Sequence, residues 1–168
     1  MMGFSDSVSM YDGKHMDVLM INALFHSLHN IFHTMVGLEI EAGVPEAKHS
    51  RQAMGEVSAM IGMNAENAHG SIALTLNRAS VNEIFCRLEG EDIVDFDREA
   101  SDLVGELVNM LAGGAKSILA DKGFDFDMQS PRLMTGEGHE LKHHYDGQTV
   151  LLPICVGQSE FFMELNFV

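Results

Sequence analysis

Ala100-Ser-Asp-Leu-Val-Gly-Glu-Leu-Val-Asn-Met-Leu-Ala-Gly-Gly-Ala-Lys-Ser-Ile-Leu119 is the stretch that decides how this chain folds. Leu103, Leu107, Met110, Leu111, Ile118 and Leu119 recur at helical spacing and form an apolar stripe for a core. Asp102, Glu106 and Asn109, at steps of four and three, stack on the opposite side of the same helix. Asn is a weak helix former, and glycines such as Gly113 and Gly114 cost roughly 1 kcal/mol each relative to Ala in a helix interior. Such residues need a reason, and close approach of another backbone or molecule supplies one. A carboxylate and a carboxamide beside a patch without side chains can hold a charged group and a water.

The acidic residues Asp95, Asp97 and Glu99 stand where a helix amino terminus favours negative charge, so the helix is expected to run to about Asp121 or Gly123. That makes it roughly 36 Å long at 1.5 Å per residue. Upstream, Ser80-Val-Asn-Glu83 has capping-box spacing and opens a short helix that Gly90 ends. Val57, Ala59, Ile61 and Met63 alternate, as do Ile72, Leu74 and Leu76, around a turn-like Asn64-Ala-Glu-Asn-Ala-His-Gly, which predicts an antiparallel hairpin. A first helix is expected from about Asp17 to Val36, stopped by Gly37. A polar linker through Pro45 and His49 follows it. Residues 1 to about 14 read as a flexible tail.

After the long helix, strands are expected at about 125–135, 149–156 and 160–168, with Pro131 and Pro153 at edges or bulges. The terminal Glu160-Phe-Phe-Met-Glu-Leu-Asn-Phe-Val suits either a sheet edge that pairs with a second copy or an interior strand. The expected order is helix, two strands, two helices, three strands. It suggests an internal duplication and a single mixed α/β domain over 15–168, with a largely antiparallel sheet covered by helices.

Composition narrows the function. With 25 acidic and 10 basic residues the formal net charge is -15, a field that repels phosphate backbones and argues against nucleic acid. Cys86 and Cys155 lie far apart without motif spacing, which fits reduced, packed thiols of a cytoplasmic protein. No window reaches 18 uninterrupted apolar residues, so no membrane insertion is expected. The amino terminus lacks the basic and apolar regions of a signal peptide.

Asp102-x3-Glu106-x2-Asn109, followed by Gly-Gly-Ala and then Pro131, resembles the signature of the CheC/CheX/FliY chemotaxis phosphatases. One intact motif in a chain of this length resembles CheX more than CheC. The resemblance implies a CheC-like fold with two related helix-plus-strands halves, and a homodimer. Setting Ser27-Leu-His-Asn30 against Glu106-Leu-Val-Asn109 leaves only the amide in the first half, so one active motif per chain is expected. The implied activity is hydrolysis of the phospho-aspartate of a CheY-like response regulator. In that scheme Asn109 holds the attacking water and Glu106 pairs with the regulator's lysine. Asp102 and Gly113 serve docking, and the Mg²⁺ belongs to the regulator, so the chain needs no cofactor or metal of its own. A non-catalytic regulator-binding or flagellar-switch module of the same fold is the alternative.

Other motifs compete less well. His26, His29 and His33 share a face of the first helix at spacing that could present three imidazoles to a metal, but no acid at an adjacent helical position completes a site. His139, His143 and His144 fall in a polar stretch expected to be a solvated loop. Gly114-Ala-Lys116-Ser117 lacks the strand and the earlier glycine of a phosphate-binding loop. No Gly-x-Ser-x-Gly elbow supports a serine nucleophile.

Overall fold

The computed structural model describes residues 15–66, 68–145 and 147–168; the tail expected over 1–14 lies outside the described residues. The chain opens with helix α1 (His15–Ile31), which continues as a π-helical turn over Phe32–Val36. Gly37 stops it as expected, at φ 76°, with its N–H on the Phe32 carbonyl. Strands β1 (Ile40–Ala42) and β2 (Glu46–Lys48) follow, then the long hairpin β3 (Val57–Ala65) and β4 (Ala68–Leu76). Helices α2 (Arg78–Glu89) and α3 (Phe96–Ala120) come next, then short strands β5 (Asp127–Met128) and β6 (Arg132–Thr135). A second hairpin, β7 (Thr149–Val156) and β8 (Ser159–Phe167), completes the chain.

The duplication lies in the topology. Each half supplies a helix, two short strands and a long hairpin: α1-β1-β2-β3-β4, then α3-β5-β6-β7-β8. The hairpins meet along β4 and β8, giving the sheet order β1-β7-β8-β4-β3-β5, with β2 also on β7 and β6 also on β3. Every pairing is antiparallel, and each half lays its short strands on the outer strand of the other half's hairpin.

Two expectations are corrected here. The polar linker through Pro45 contains β1 and β2, whose three-residue length is too short for alternation to be legible. The single strand expected over 125–135 is broken between β5 and β6, where Pro131 removes a donor. Pro153 sits in β7 opposite the gap between β1 and β2, and its carbonyl accepts from Gly43 N–H at 2.8 Å. The terminal strand β8 is interior, flanked by β7 and β4.

The α2 cap is also shifted. Asn77 is the N-cap, its side chain accepting from Ser80 N–H, while Ser80 Oγ accepts from Asn77 N–H in return. Glu83 is released from capping and instead accepts from Ser159 Oγ at 2.8 Å, holding α2 to β8. At α3, Asp95 caps as the acidic run predicts, and Glu99 Oε2 accepts from Val94 and Asp95 N–H.

The core lies between the helices and one sheet face. Val57, Ala59, Ile61 and Met63 of β3 join Ile72, Leu74 and Leu76 of β4 and Phe161, Met163 and Leu165 of β8 there. By length and composition α3 could cross a membrane, yet Ala100, Val104, Leu107, Val108, Leu111, Ala112, Ala115 and Leu119 are buried within the fold. Cys86 is half-buried and Cys155 exposed, so the expectation of two packed thiols fails for Cys155, whose side chain falls outside the core face of β7.

Candidate functional site

Asp102, Glu106 and Asn109 are all exposed on α3, as their spacing requires. At 1.5 Å per residue the stripe spans about 10 Å. Among the described residues none of the three side chains makes a hydrogen bond or an ion pair. An exposed helix normally relieves such groups with i,i+4 partners, and here the carboxylates of Asp102 and Glu106 meet no base. The face is therefore anionic and open to solvent, with the Asn109 carboxamide free to donate and to accept.

Local packing fixes the stripe's orientation. Opposite it, Leu107, Val108 and Leu111 are buried against the sheet and α1. Leu103 and Met110, assigned to the core by periodicity, are only partly buried. They line a groove of about 240 Å³ with Glu106, Leu107, Ile31, Met35, Val36, Leu88 and Glu89. Exposed Met35 and Leu88 add apolar surface at its rim. Sequence reasoning missed this groove, because its walls come from the ends of α1 and α2 and no single helix carries the pattern.

The two glycines have separate roles. A β-carbon on Gly113 would meet nothing within 4 Å, so that side of α3 is bare and open. Gly114 faces inward, where the Ser27 hydroxyl of α1 already fills the space a β-carbon would need. Ser27 Oγ donates to the Leu111 carbonyl at 3.0 Å. Of the two glycines expected to give clearance, Gly113 alone has open space beside it; Gly114 serves helix–helix packing.

In the first half, the counterpart motif keeps Asn30 exposed, but Ser27, standing where Glu106 stands in the second, is buried. The alignment that pairs these two residues also pairs Met35 with Gly114. Ser27 packs on Gly114 while Glu106 shares its groove with Met35, which is the reciprocal contact expected of duplicated halves.

The first-helix histidines form a different arrangement from a metal site. His29 Nε2 lies 3.2 Å and His33 Nδ1 2.6 Å from the two oxygens of Glu39, and the imidazoles stack at 6.1 Å. The acid missing from the helix arrives from beyond Gly37, whose left-handed turn reverses the chain. The hydrogen bond from His33 holds the Glu39 carboxyl below the usual range. His26 is exposed and takes no part, and no group of three ligands disposed for a metal occurs among the described residues.

Residues 57–155 match the family described as chemotaxis phosphatase CheX. The CheY-P phosphatase CheX of Thermotoga maritima is 25% identical over 148 residues, spanning 88% of this chain and 94% of that protein. Among solved structures, a CheC-like superfamily protein from Shewanella sp. PV-4 is 38% identical with TM-score 0.82, covering 90% of this chain and 98% of that one. The chemotaxis protein CheX of Vibrio vulnificus is 36% identical with TM-score 0.81, covering 89% and 99%. With its duplicated antiparallel sheet and its exposed acid–amide helix, the chain belongs to the chemotaxis phosphatase CheX family.

Proposed function

We propose that the protein hydrolyses the phospho-aspartate of a CheY-like response regulator in chemotaxis or a related two-component pathway. The observation that carries this reading is the unpartnered Glu106–Asn109 pair on an exposed helical face, one turn before bare Gly113. The name of the Thermotoga maritima relative, a CheY-P phosphatase, supports the choice of substrate.

The pair suits phosphoryl transfer because that chemistry depends on orientation and charge compensation more than on covalent catalysis. In this reading Asn109 holds a water in line with phosphorus. The water oxygen bonds to phosphorus as the acyl phosphate P–O bond breaks, leaving aspartate on the regulator and inorganic phosphate that takes one of the water's protons, the other passing to phosphate or to solvent. A neutral amide orients the water without setting another negative charge against the phosphoryl oxygens. Glu106 engages the regulator's lysine, and Asp102 and Gly113 receive the surrounding surface. In this reading the Mg²⁺ travels with the regulator, held beside its phosphoryl group.

The reading also places the protein in the cytoplasm as a homodimer. Since β8 is interior, the copies would join through other surfaces, and light scattering on the purified protein reports the state. The activity is tested by mixing the protein with a CheY-like regulator phosphorylated by a small-molecule donor. Accelerated phosphate release supports the phosphatase. Binding without acceleration would make this a regulator-binding module.

A further inference from the structure

Two large apolar side chains stand exposed at one spot. Met35, in the π-helical turn that ends α1, is 55% accessible, and Leu88, in the last turn of α2, is 37% accessible. Distant in sequence, they border the same groove on the α3 surface. Leu103, Leu107 and Met110, at i, i+4 and i+7 on α3, supply one wall, and Ile31 and Val36 of the first helix face them. Scattered singly, exposed apolar residues need no explanation; gathered over one groove they mark a contact surface.

Glu106 and Glu89 are the only charged residues in the lining, and both are acids. Neither has an ion-pair partner among the described residues. Glu89 is the last residue of α2, where the helix dipole is already negative and a cation is the favoured neighbour. Its charge works against α2 and adds to the negative field over the groove.

Apolar walls beside two unpaired acids select the occupant. A volume of about 240 Å³ falls below the usual range for small-molecule sites and suits a side chain of a protein partner. A second copy of this chain is a poor complement, since it carries 25 acidic against 10 basic residues and like charges across a contact oppose it. The complement is a protein segment with an apolar side chain next to a cation. Glu106 belongs both to the groove and to the acid–amide stripe, so whatever covers the groove also meets the stripe.

We propose that the groove sets affinity for the response regulator: an apolar side chain beside the regulator's lysine enters between Met35, Leu88, Leu103 and Met110 as the lysine reaches Glu106. The proposal rests on the phosphatase reading of the stripe and adds which regulators it accepts. A regulator with an acid at that position is rejected, because it sets a like charge against Glu89 and Glu106. Met35 and Met110 have unbranched thioether side chains, which adapt to differing apolar shapes. Contacts in the groove hold the regulator without touching phosphorus, so they lower the regulator concentration required and leave the step at phosphorus to Asn109.

The test uses the full chain and a CheY-like regulator carrying beryllofluoride on its aspartate as a stable phosphoryl mimic. Wild type is expected to bind it, with the methyl signals of Met35 and Met110 shifting in carbon-13 NMR, assigned through Met35→Leu and Met110→Leu. The double variant Met35→Ser/Leu88→Ser alters exposed positions, so it should fold as wild type by circular dichroism. Its affinity should fall by about tenfold or more. With phosphorylated regulator, the concentration giving half-maximal phosphate release should rise by the same factor while the rate at saturation holds, the reverse of the pattern expected for Asn109→Ala. Binding by wild type with unmoved methionine signals, or equal affinity in the double variant, overturns the groove and leaves the stripe standing. No binding by wild type overturns both. Methionine signals that move with protein concentration in the absence of regulator would give the groove to a second copy and overturn the proposal as well.

Discussion

The Ser27 hydroxyl occupies the place that a β-carbon on Gly114 would take, so α1 and α3 meet at a contact only glycine permits. Gly113, one residue earlier, faces open space. Adjacent glycines in one helix should therefore respond oppositely. Gly114→Ala forces the helices apart and should destabilise by about 1–3 kcal/mol. Gly113→Ala should be neutral or stabilising by up to roughly 1 kcal/mol, from helix propensity alone. Urea unfolding of both variants measures the difference, and Ser27→Gly should restore part of the loss in Gly114→Ala. Equal effects at the two glycines would contradict this packing.

A bulky side chain at Gly113 separates folding from docking. Gly113→Leu has room in the isolated protein, so its thermal midpoint should equal or exceed that of wild type. On the proposed docking role of Gly113, the leucine would fill space that the regulator needs. Regulator affinity should fall by about tenfold or more. Unchanged affinity would remove Gly113 from the interface.

Cys86 Sγ donates to Asp92 Oδ1 at 3.3 Å, and that contact, with desolvation and the nearby charge, raises the thiol above its usual range. Only the thiolate alkylates. Iodoacetamide at mildly alkaline pH should therefore modify exposed Cys155 before Cys86, read by peptide mass spectrometry. Asp92→Asn should accelerate Cys86, and a lack of change would disprove the role given to Asp92.

The Glu39 carboxyl is held down first by its hydrogen bond from His33, then by the charges of His33 and His29, against desolvation. A depressed carboxylate favours the fold above its unfolded value, and that contribution is lost as pH falls through the lowered folded value. A carboxyl NMR titration should place the Glu39 midpoint below the ordinary glutamate range. His33→Ala should move it upward, and an unmoved midpoint would show that the imidazole is not the cause.

Much of this architecture was legible because it rests on long periodic elements. The α3 stripe, the β3–β4 hairpin and the stops at Gly37 and Gly90 follow from side-chain period and glycine conformation. What stayed hidden depends on contacts between distant segments. β1 and β2 exist because β7 offers them a ladder, and their own three residues carry no period. Glu39 reaches His29 and His33 only after the turn at Gly37. His143 reads as a loop residue until β8 presents Glu164 to it. Of the candidate site, the stripe could be read directly, but the groove beside Glu106 needed three helices in place.

Asn109 and Glu106 carry different parts of the proposed reaction, so their variants should fail differently. Glu106→Gln keeps the shape of the side chain and loses its charge, which should weaken regulator binding and make the remaining interaction less sensitive to salt. Unaltered affinity and salt dependence would remove Glu106 from the lysine contact.

The most direct measurement is the decay of a phosphorylated CheY-like regulator with wild type and with Asn109→Ala, alongside circular dichroism and regulator affinity for both. The account predicts that wild type shortens the lifetime, while Asn109→Ala stays folded, binds the regulator and loses about a hundredfold in rate because the water is no longer positioned. A folded, binding-competent Asn109→Ala protein that releases phosphate as fast as wild type would contradict it.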